Sequence, residues 1–346
     1  MYTSQPKNLL ILHILDILRK QSDSEHPLSQ QDIIRILKDE YSMDADRKAI
    51  KRNLFSLVEQ GYPLECTEIS RKNKAGEEET IMSDWYMEHD FSQAELRLLI
   101  DSVLFARHIP TSQSRALIGK LEKLSSKHFK GNSQHIMSVW ENRPQNHELF
   151  LTLEVLDEAI TSQRQVAFHY NDYDVDMKLH LRTGVDGRPR EYLINPYRMA
   201  AANGRYYLIC NYDKYDNISM YRLDRVTGIR MLDTPAKPVR ELSGMETGFD
   251  LPRHMAEHIY MFGGASTFVS FRAKRHLMND IIDWFGMDIR LTDLTDKEVT
   301  VHVKVNAEAM KLWALQYAIH VQILSPQSMR DEVMQSLEKS LQNYAE

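Results

Sequence analysis

The dipeptide Asn203-Gly204 constrains this chain more than any other pair of residues in it. It separates two runs rich in aromatic and aliphatic residues, and Asn-Gly in that setting predicts a type I′ hairpin, whose two central positions both need positive φ. The hairpin sits inside a longer stretch, Tyr192 to Met231, that reads as three or four short strands. The strand Arg205 to Tyr212 alternates aromatic, aliphatic and polar residues. Tyr221-Arg222-Leu223-Asp224-Arg225 follows, with two arginines around an apolar residue and an acid. Guanidinium forks grip phosphate or carboxylate, and tyrosine rings stack on flat groups. A small barrel presenting both is a candidate sensor for an anionic ligand.

The run Gly204-Arg205-Tyr206-Tyr207-Leu208, with Asn195-Pro196-Tyr197 before it and Tyr221-Arg222-Leu223-Asp224-Arg225 after it, resembles the core of a WYL domain. That family carries a Trp-Tyr-Leu triad in a small Sm-like or SH3-like barrel. Here Tyr206 stands in the tryptophan position. The resemblance implies a ligand-sensing barrel behind a DNA-binding module, with a C-terminal extension domain after it. Some WYL proteins bind single-stranded DNA, so a nucleotide or single-stranded nucleic acid is the implied ligand.

The 346 residues suffice for two or three domains with sizeable cores. With 42% apolar and 27% charged residues the composition is that of an ordinary globular protein. No apolar run is long enough to span a bilayer, and Asp16 and His13 interrupt the apolar N-terminal stretch, which lacks the marks of a signal peptide. Membrane partners are not expected. Cys66 and Cys210 lie far apart, which fits a reducing, cytoplasmic setting rather than a disulfide scaffold. The net charge of −6 means that any contact with nucleic acid must come from a local basic patch.

Taken in order, residues 7 to 20 carry Leu10, Ile14, Ile17 and Leu18 on one helical stripe. Ser29 and Asp32 have the form of a capping box opening a second helix through Ile33, Ile36 and Leu37. A third helix, capped by Asp44 or Asp46, turns Ile50, Leu54, Leu57 and Val58 one way and Lys48, Arg52 and Phe55 the other, with Arg47 and Lys51 on the flanks. Two alternating runs, Leu64 to Ile69 and Thr80 to Met87, flank a charged turn holding Arg71, Lys72 and Lys74. Three helices and a hairpin in this order predict a winged helix-turn-helix. Its third helix would enter the major groove, and Arg47, Arg71, Lys72 and Lys74 would meet phosphates. Glu77, Glu78 and Glu79 in the wing would have to face away from them.

Ser92 and Glu95 form a second capping box, and helices over Ser114–Leu124 and Glu148–Ile160 follow, separated by a polar stretch from Phe129 to Asn146. Strands Val166–Tyr170 and Lys178–Thr183 lead into the barrel. The C-terminal third reads βαββαβα, which predicts a ferredoxin-like sandwich after a helix from Pro252 to Met261. The expected fold is therefore a multidomain α+β protein: winged helix-turn-helix at 1–89, helical linker at 90–161, small Sm/SH3-like β-barrel at 162–238, and a ferredoxin-like α/β extension at 239–346. The candidate ligand face comprises His169, Tyr170, Arg182, Tyr197, Arg198, Tyr207, Arg222 and Arg225. The competing expectation is that Tyr170, Tyr197 and Tyr207 are core rings and that Arg225 pairs with Asp224 or another acid.

Catalytic readings find little support. His254-Met255-Ala256-Glu257-His258 matches the zinc-binding pattern H-x-x-E-H, but a third ligand and a buried floor are not evident. Asp172, Asp174 and Asp176 begin like a calcium loop, yet Met177 stands where glycine is needed and Thr183 where the closing acid is needed. Phosphate-binding glycine loops and nucleophile elbows are lacking from the sequence. The expectation is a bacterial transcriptional regulator, not an enzyme, without a cofactor, that binds double-stranded DNA as a homodimer and answers to an anionic ligand. The alternatives are an accessory nucleic-acid-binding protein that modulates a defence effector and, behind it, a zinc hydrolase.

Overall fold

The computed structural model describes residues 9–72, 78–129, 146–243, 245, 248 and 250–345. The chain divides into two compact units, residues 1–143 and 144–346. Lys74 and Glu77, with the rest of residues 73–77 in the predicted wing, residues 7 and 8, and residues 130–145 of the polar stretch lie outside the described residues.

In the first unit α1 (Leu10–Gln21), α2 (Gln30–Tyr41) and α3 (Arg47–Glu59) precede a hairpin of β1 (Leu64–Lys72) and β2 (Glu78–Met87). The Ser29 hydroxyl accepts from the Asp32 amide, and the Asp32 carboxylate accepts in return from the Ser29 amide at 3.1 Å, so the predicted capping box opens α2. Asp46, not Asp44, caps α3, accepting from the Ala49 amide at 2.7 Å. Ile14, Ile17 and Leu18 meet Ile33, Leu37, Ile50 and Leu54 in one core, closed on the hairpin side by Trp85. Leu28 and Trp85 exchange both backbone hydrogen bonds, at 2.7 and 2.9 Å, so the segment before α2 acts as a short third strand. The strands run longer than the alternation predicts, to a register that sets Arg71 opposite Glu79 and Lys72 opposite Glu78.

Two further helices complete this unit, α4 (Gln93–Phe105), opened by the Ser92/Glu95 capping box, and α5 (Thr111–Glu122), which packs on it. Beyond α5 the chain returns to the end of α1. The Lys127 amide donates to the Lys20 carbonyl at 2.7 Å, the Ser126 hydroxyl to Asp23 at 2.5 Å, and His128 stacks on His26 with ring centroids 4.0 Å apart.

The second unit opens with α6 (Leu149–Thr161). A curled antiparallel sheet follows: β3 (Arg164–Tyr173), β4 (Leu179–Leu181), β5 (Glu191–Ala202), β6 (Arg205–Tyr212), β7 (Ile218–Arg222), a 3-10 turn at Leu223–Arg225, and β8 (Val226–Pro235). The order is β4-β3-β5-β6-β7, with β8 returning to β3. The first half of β3 pairs with β5 and β8, and its last residues pair with β4, which bends the sheet on itself. Asn203 and Gly204 have φ of 51° and 71°, the type I′ geometry that the dipeptide predicts. The sequence places α6 in a linker; it packs instead across β3, β5 and β8, burying Leu156 and Ala159. Asn146, just ahead of it, donates to the Val226 carbonyl at 2.6 Å.

The remainder of the unit holds α7 (Leu251–Glu257), β9 (Ser266–Lys274), α8 (Met278–Phe285), β10 (Arg290–Thr292), β11 (Glu298–Asn306), α9 (Ala307–Gln316), β12 (Val321–Ser325) and α10 (Gln327–Gln342). The sheet order is β10-β11-β9-β12, antiparallel throughout. Phe271, Phe285 and Trp313 form its aromatic centre. α7 stops at Glu257, short of the predicted Met261, because the chain turns there through Met261 at φ 55° and buries that side chain against β5 and β6. Among the described residues no helix is long and apolar enough to cross a membrane.

Candidate functional site

Strand parity decides what the curled sheet presents. Phe168, Tyr170 and Asp172 alternate along β3 and share one face, while His169 between them faces the other way. The Phe168, Tyr170, Tyr192 and Tyr221 rings meet edge-on or stacked at centroid separations of 5.0–6.3 Å. Two guanidiniums lie over this aromatic mouth: Arg182 is 4.9 Å from the Tyr170 ring centroid and Arg190 is 4.6 Å from that of Tyr192. The Arg190 amide donates to the Arg182 carbonyl at 2.8 Å, so the backbone holds the two arginines side by side.

Carboxylates thread between the cations. Asp172 accepts from Arg182 through both of its oxygens and from Arg225 Nη1 at 3.1 Å. Arg222 makes a two-pronged pair with Asp224, Nε to Oδ1 at 3.0 Å and Nη2 to Oδ2 at 2.6 Å. The Arg182 guanidinium holds the Asp172 carboxyl below the usual carboxylate range, and Asp172 in turn holds Arg182 charged. Burial pushes the Tyr170 phenol up, although its oxygen accepts from the Arg222 amide at 3.1 Å. Four guanidiniums therefore face two carboxylates around the tyrosine rings. Neither Arg190 nor the Nε of Arg225 has a carboxylate partner among the described residues.

A WYL family model matches residues 152–231. Residues 152–231 are a WYL domain. The matched segment begins inside α6 and ends in β8, so the helix counts with the WYL domain rather than with a linker. Solved structures add similarity without an argument. Proteasome accessory factor B/C of Arthrobacter aurescens is 17% identical over 97% of this chain and 49% of its own, with a TM-score of 0.28. A CRISPR Cas-related protein is 12% identical over 98% of this chain and 84% of its own, with a TM-score of 0.37. The chain spans about half the length of the first of these. No curated protein matches it.

Of the eight ligand residues read from sequence, the WYL domain brings Tyr170, Arg182, Arg222 and Arg225 together. Tyr207 is buried among Ala200, Ile209 and Met261, because β6 is covered on both faces: Leu208 and Cys210 on one, Tyr207 and Ile209 on the other. His169 lies across the strand from Tyr170, its Nδ1 3.2 Å from the Arg190 carbonyl. Tyr197 and Arg198 stand apart at a cavity of about 480 Å³ beside α6, and the Tyr197 hydroxyl donates to the Lys237 carbonyl at 2.9 Å. Sequence reading missed Arg190, Tyr192 and Tyr221. Applying strand alternation outward from Tyr170 would have found Asp172 as a partner rather than as the start of a calcium loop.

In the first unit Arg47, Lys48, Lys51 and Arg52 are all exposed on α3, Lys48 and Arg52 on the side opposite Ile50, Leu54 and Leu57 and Arg47 and Lys51 on the flank, and none has an ion pair among the described residues. Lys51 lies 5.7 Å from the Phe55 ring centroid. Arg71 and Lys72 fall in the last two residues of β1. The H-x-x-E-H residues form no metal-like array. Glu257 pairs with Arg253 and Lys304, each at 3.0 Å. Both His258 nitrogens face backbone carbonyls, those of His254 at 2.8 Å and Gly264 at 3.4 Å, which leaves no lone pair directed at an ion. Among the described residues no group of three His, Cys, Asp or Glu could hold a metal.

Proposed function

We propose that this protein is a DNA-binding transcriptional regulator whose WYL domain senses an anionic ligand, a nucleotide or single-stranded nucleic acid, at the arginine-capped mouth of the barrel. One observation carries the reading: Arg182, Arg190, Arg222 and Arg225 outnumber Asp172 and Asp224 around a cluster of tyrosine rings, of which Tyr173 is exposed. A phosphate would take over the guanidinium donors that Asp172 now occupies, and a base would stack on the exposed Tyr173 ring. Arg222 keeps its buried carboxylate and acts as scaffold.

The three-helix unit with its hairpin supports a winged helix-turn-helix. In this reading α3 enters the major groove with Lys48 and Arg52 toward base edges, and Arg47, Lys51, Arg71, Lys72 and Lys74 meet phosphates. The C-terminal sheet order supports a ferredoxin-like extension. The chain acts in the cytoplasm as a homodimer on half-sites about one helical turn apart, or a multiple of that spacing. Ligand at the barrel shifts the equilibrium between arrangements of the two reading heads and so changes affinity for duplex. No catalytic step is assigned to it. The test is a genome-wide pull-down of bound DNA. Recovery of promoter segments supports regulation, and recovery without promoter enrichment would turn the account toward an accessory nucleic-acid-binding protein.

A further inference from the structure

We propose that the cavity between α6, β5 and the segment after β8 is a second binding site, distinct from the barrel mouth, for a small organic anion with an apolar body. At about 480 Å³ the cavity has the volume of a small-molecule pocket. Ile160, Pro196, Pro238 and Val239 give it apolar walls, and Arg198, Lys237 and Arg240 supply the charged groups among its described lining, which includes no Asp or Glu. The ammonium of Lys237 is committed to Asp216 at 2.7 Å. Arg198 and Arg240 are exposed and have no carboxylate partner among the described residues; Arg198 spends one nitrogen on the Tyr197 carbonyl at 3.1 Å. Two guanidinium forks beside an apolar surface suit one carboxylate, sulfonate or phosphate on a hydrocarbon or aromatic frame.

The cavity wall also explains what such a ligand would do. Residues 236–240 form one side of it, and two bonds hold that side to β5: the Tyr197 hydroxyl to the Lys237 carbonyl, and the Lys237 amide to Asn195 Oδ1 at 2.9 Å. The same segment carries the chain out of the WYL domain toward the C-terminal sheet. An occupant therefore presses on the connection between the two halves of this unit, independently of anything bound at the mouth.

The test titrates the full-length protein by calorimetry with naphthoate, its neutral amide and inorganic phosphate. Naphthoate is expected to saturate at one site per chain, with the amide and phosphate weaker by about tenfold or more. Arg198→Gln with Arg240→Gln is expected to weaken naphthoate by about tenfold at an unchanged melting curve. Ile160→Trp, which fills the apolar side and leaves the charges, is expected to abolish binding, and it carries the test if the charge variant does not fold. Arg182→Gln with Arg190→Gln is expected to leave naphthoate affinity unaltered. Absent saturation, an amide or phosphate that binds as tightly, or an affinity that falls with the mouth variant instead of the cavity variants would overturn the proposal.

Discussion

Arg222 and Asp224, two residues apart, close a two-pronged ion pair across the 3-10 turn that precedes β8, and the carboxylate side chain is only 1% exposed. An ion pair with one partner that deeply buried is costly to break, because the survivor keeps its desolvation penalty and loses its compensation. Asp224→Asn is expected to destabilise the second unit by about 2–4 kcal/mol in urea unfolding. Arg222→Gln should cost a similar amount. If both variants unfold like the parent, the pair is ornamental and Arg222 returns to the pool of ligand donors.

Tyr207 gives a second stability test. Its ring is 8% exposed against Ala200, Ile209 and Met261. Tyr207→Ala should cost about 2–4 kcal/mol through the cavity it leaves, whereas Tyr207→Phe should be close to neutral and should leave ligand binding intact. A loss of ligand binding in a fully stable Tyr207→Phe would restore the hydroxyl to the site.

His254 sets a pH dependence. Burial pushes its pKa down to about 4 from an ordinary value of 6.5, with the neighbouring His258 adding to the effect. A histidine kept neutral by folding contributes stability that is complete above the unfolded value and is lost as pH falls toward the folded one. The unfolding free energy should therefore drop between pH 6.5 and about 4, by on the order of 2–3 kcal/mol from this group. His254→Gln should flatten that part of the curve in chemical denaturation measured at several pH values.

On the DNA side, Arg52→Ala should weaken binding to a selected duplex by about 1–3 kcal/mol and relax sequence preference if it reads a base. Lys51→Ala should weaken all duplexes alike and reduce the salt slope by about 1. Anisotropy titrations at several salt concentrations separate the two outcomes.

Much of this was legible before the structure. Asn203-Gly204 announced its hairpin because both residues tolerate the positive φ that a type I′ turn needs, and Ser29 with Asp32 announced α2 because reciprocal capping is a local affair. Apolar spacing placed α3 and its exposed basic side. Parity across β3 was less accessible. Alternation sorts His169 from Tyr170 and Asp172, but which of the two faces turns toward the aromatic cluster depends on a pairing with β5 and β8, far along the chain. Tyr207 was misplaced for a related reason: alternation says that neighbours point opposite ways, not that both faces are covered. α6 looked like linker because an amphipathic helix does not reveal in its own sequence what it packs against.

The account turns on the barrel mouth, and the most direct measurement is the fluorescence titration of a short single-stranded oligonucleotide against the parent protein and Arg182→Gln with Arg190→Gln, two exposed arginines whose loss leaves the buried Asp224 paired. The account predicts saturable binding to the parent, a fall of about tenfold or more in the variant, and a change in duplex affinity on adding the oligonucleotide that the variant does not show. Equal oligonucleotide binding by both proteins, or duplex affinity indifferent to the oligonucleotide in the parent, would contradict it.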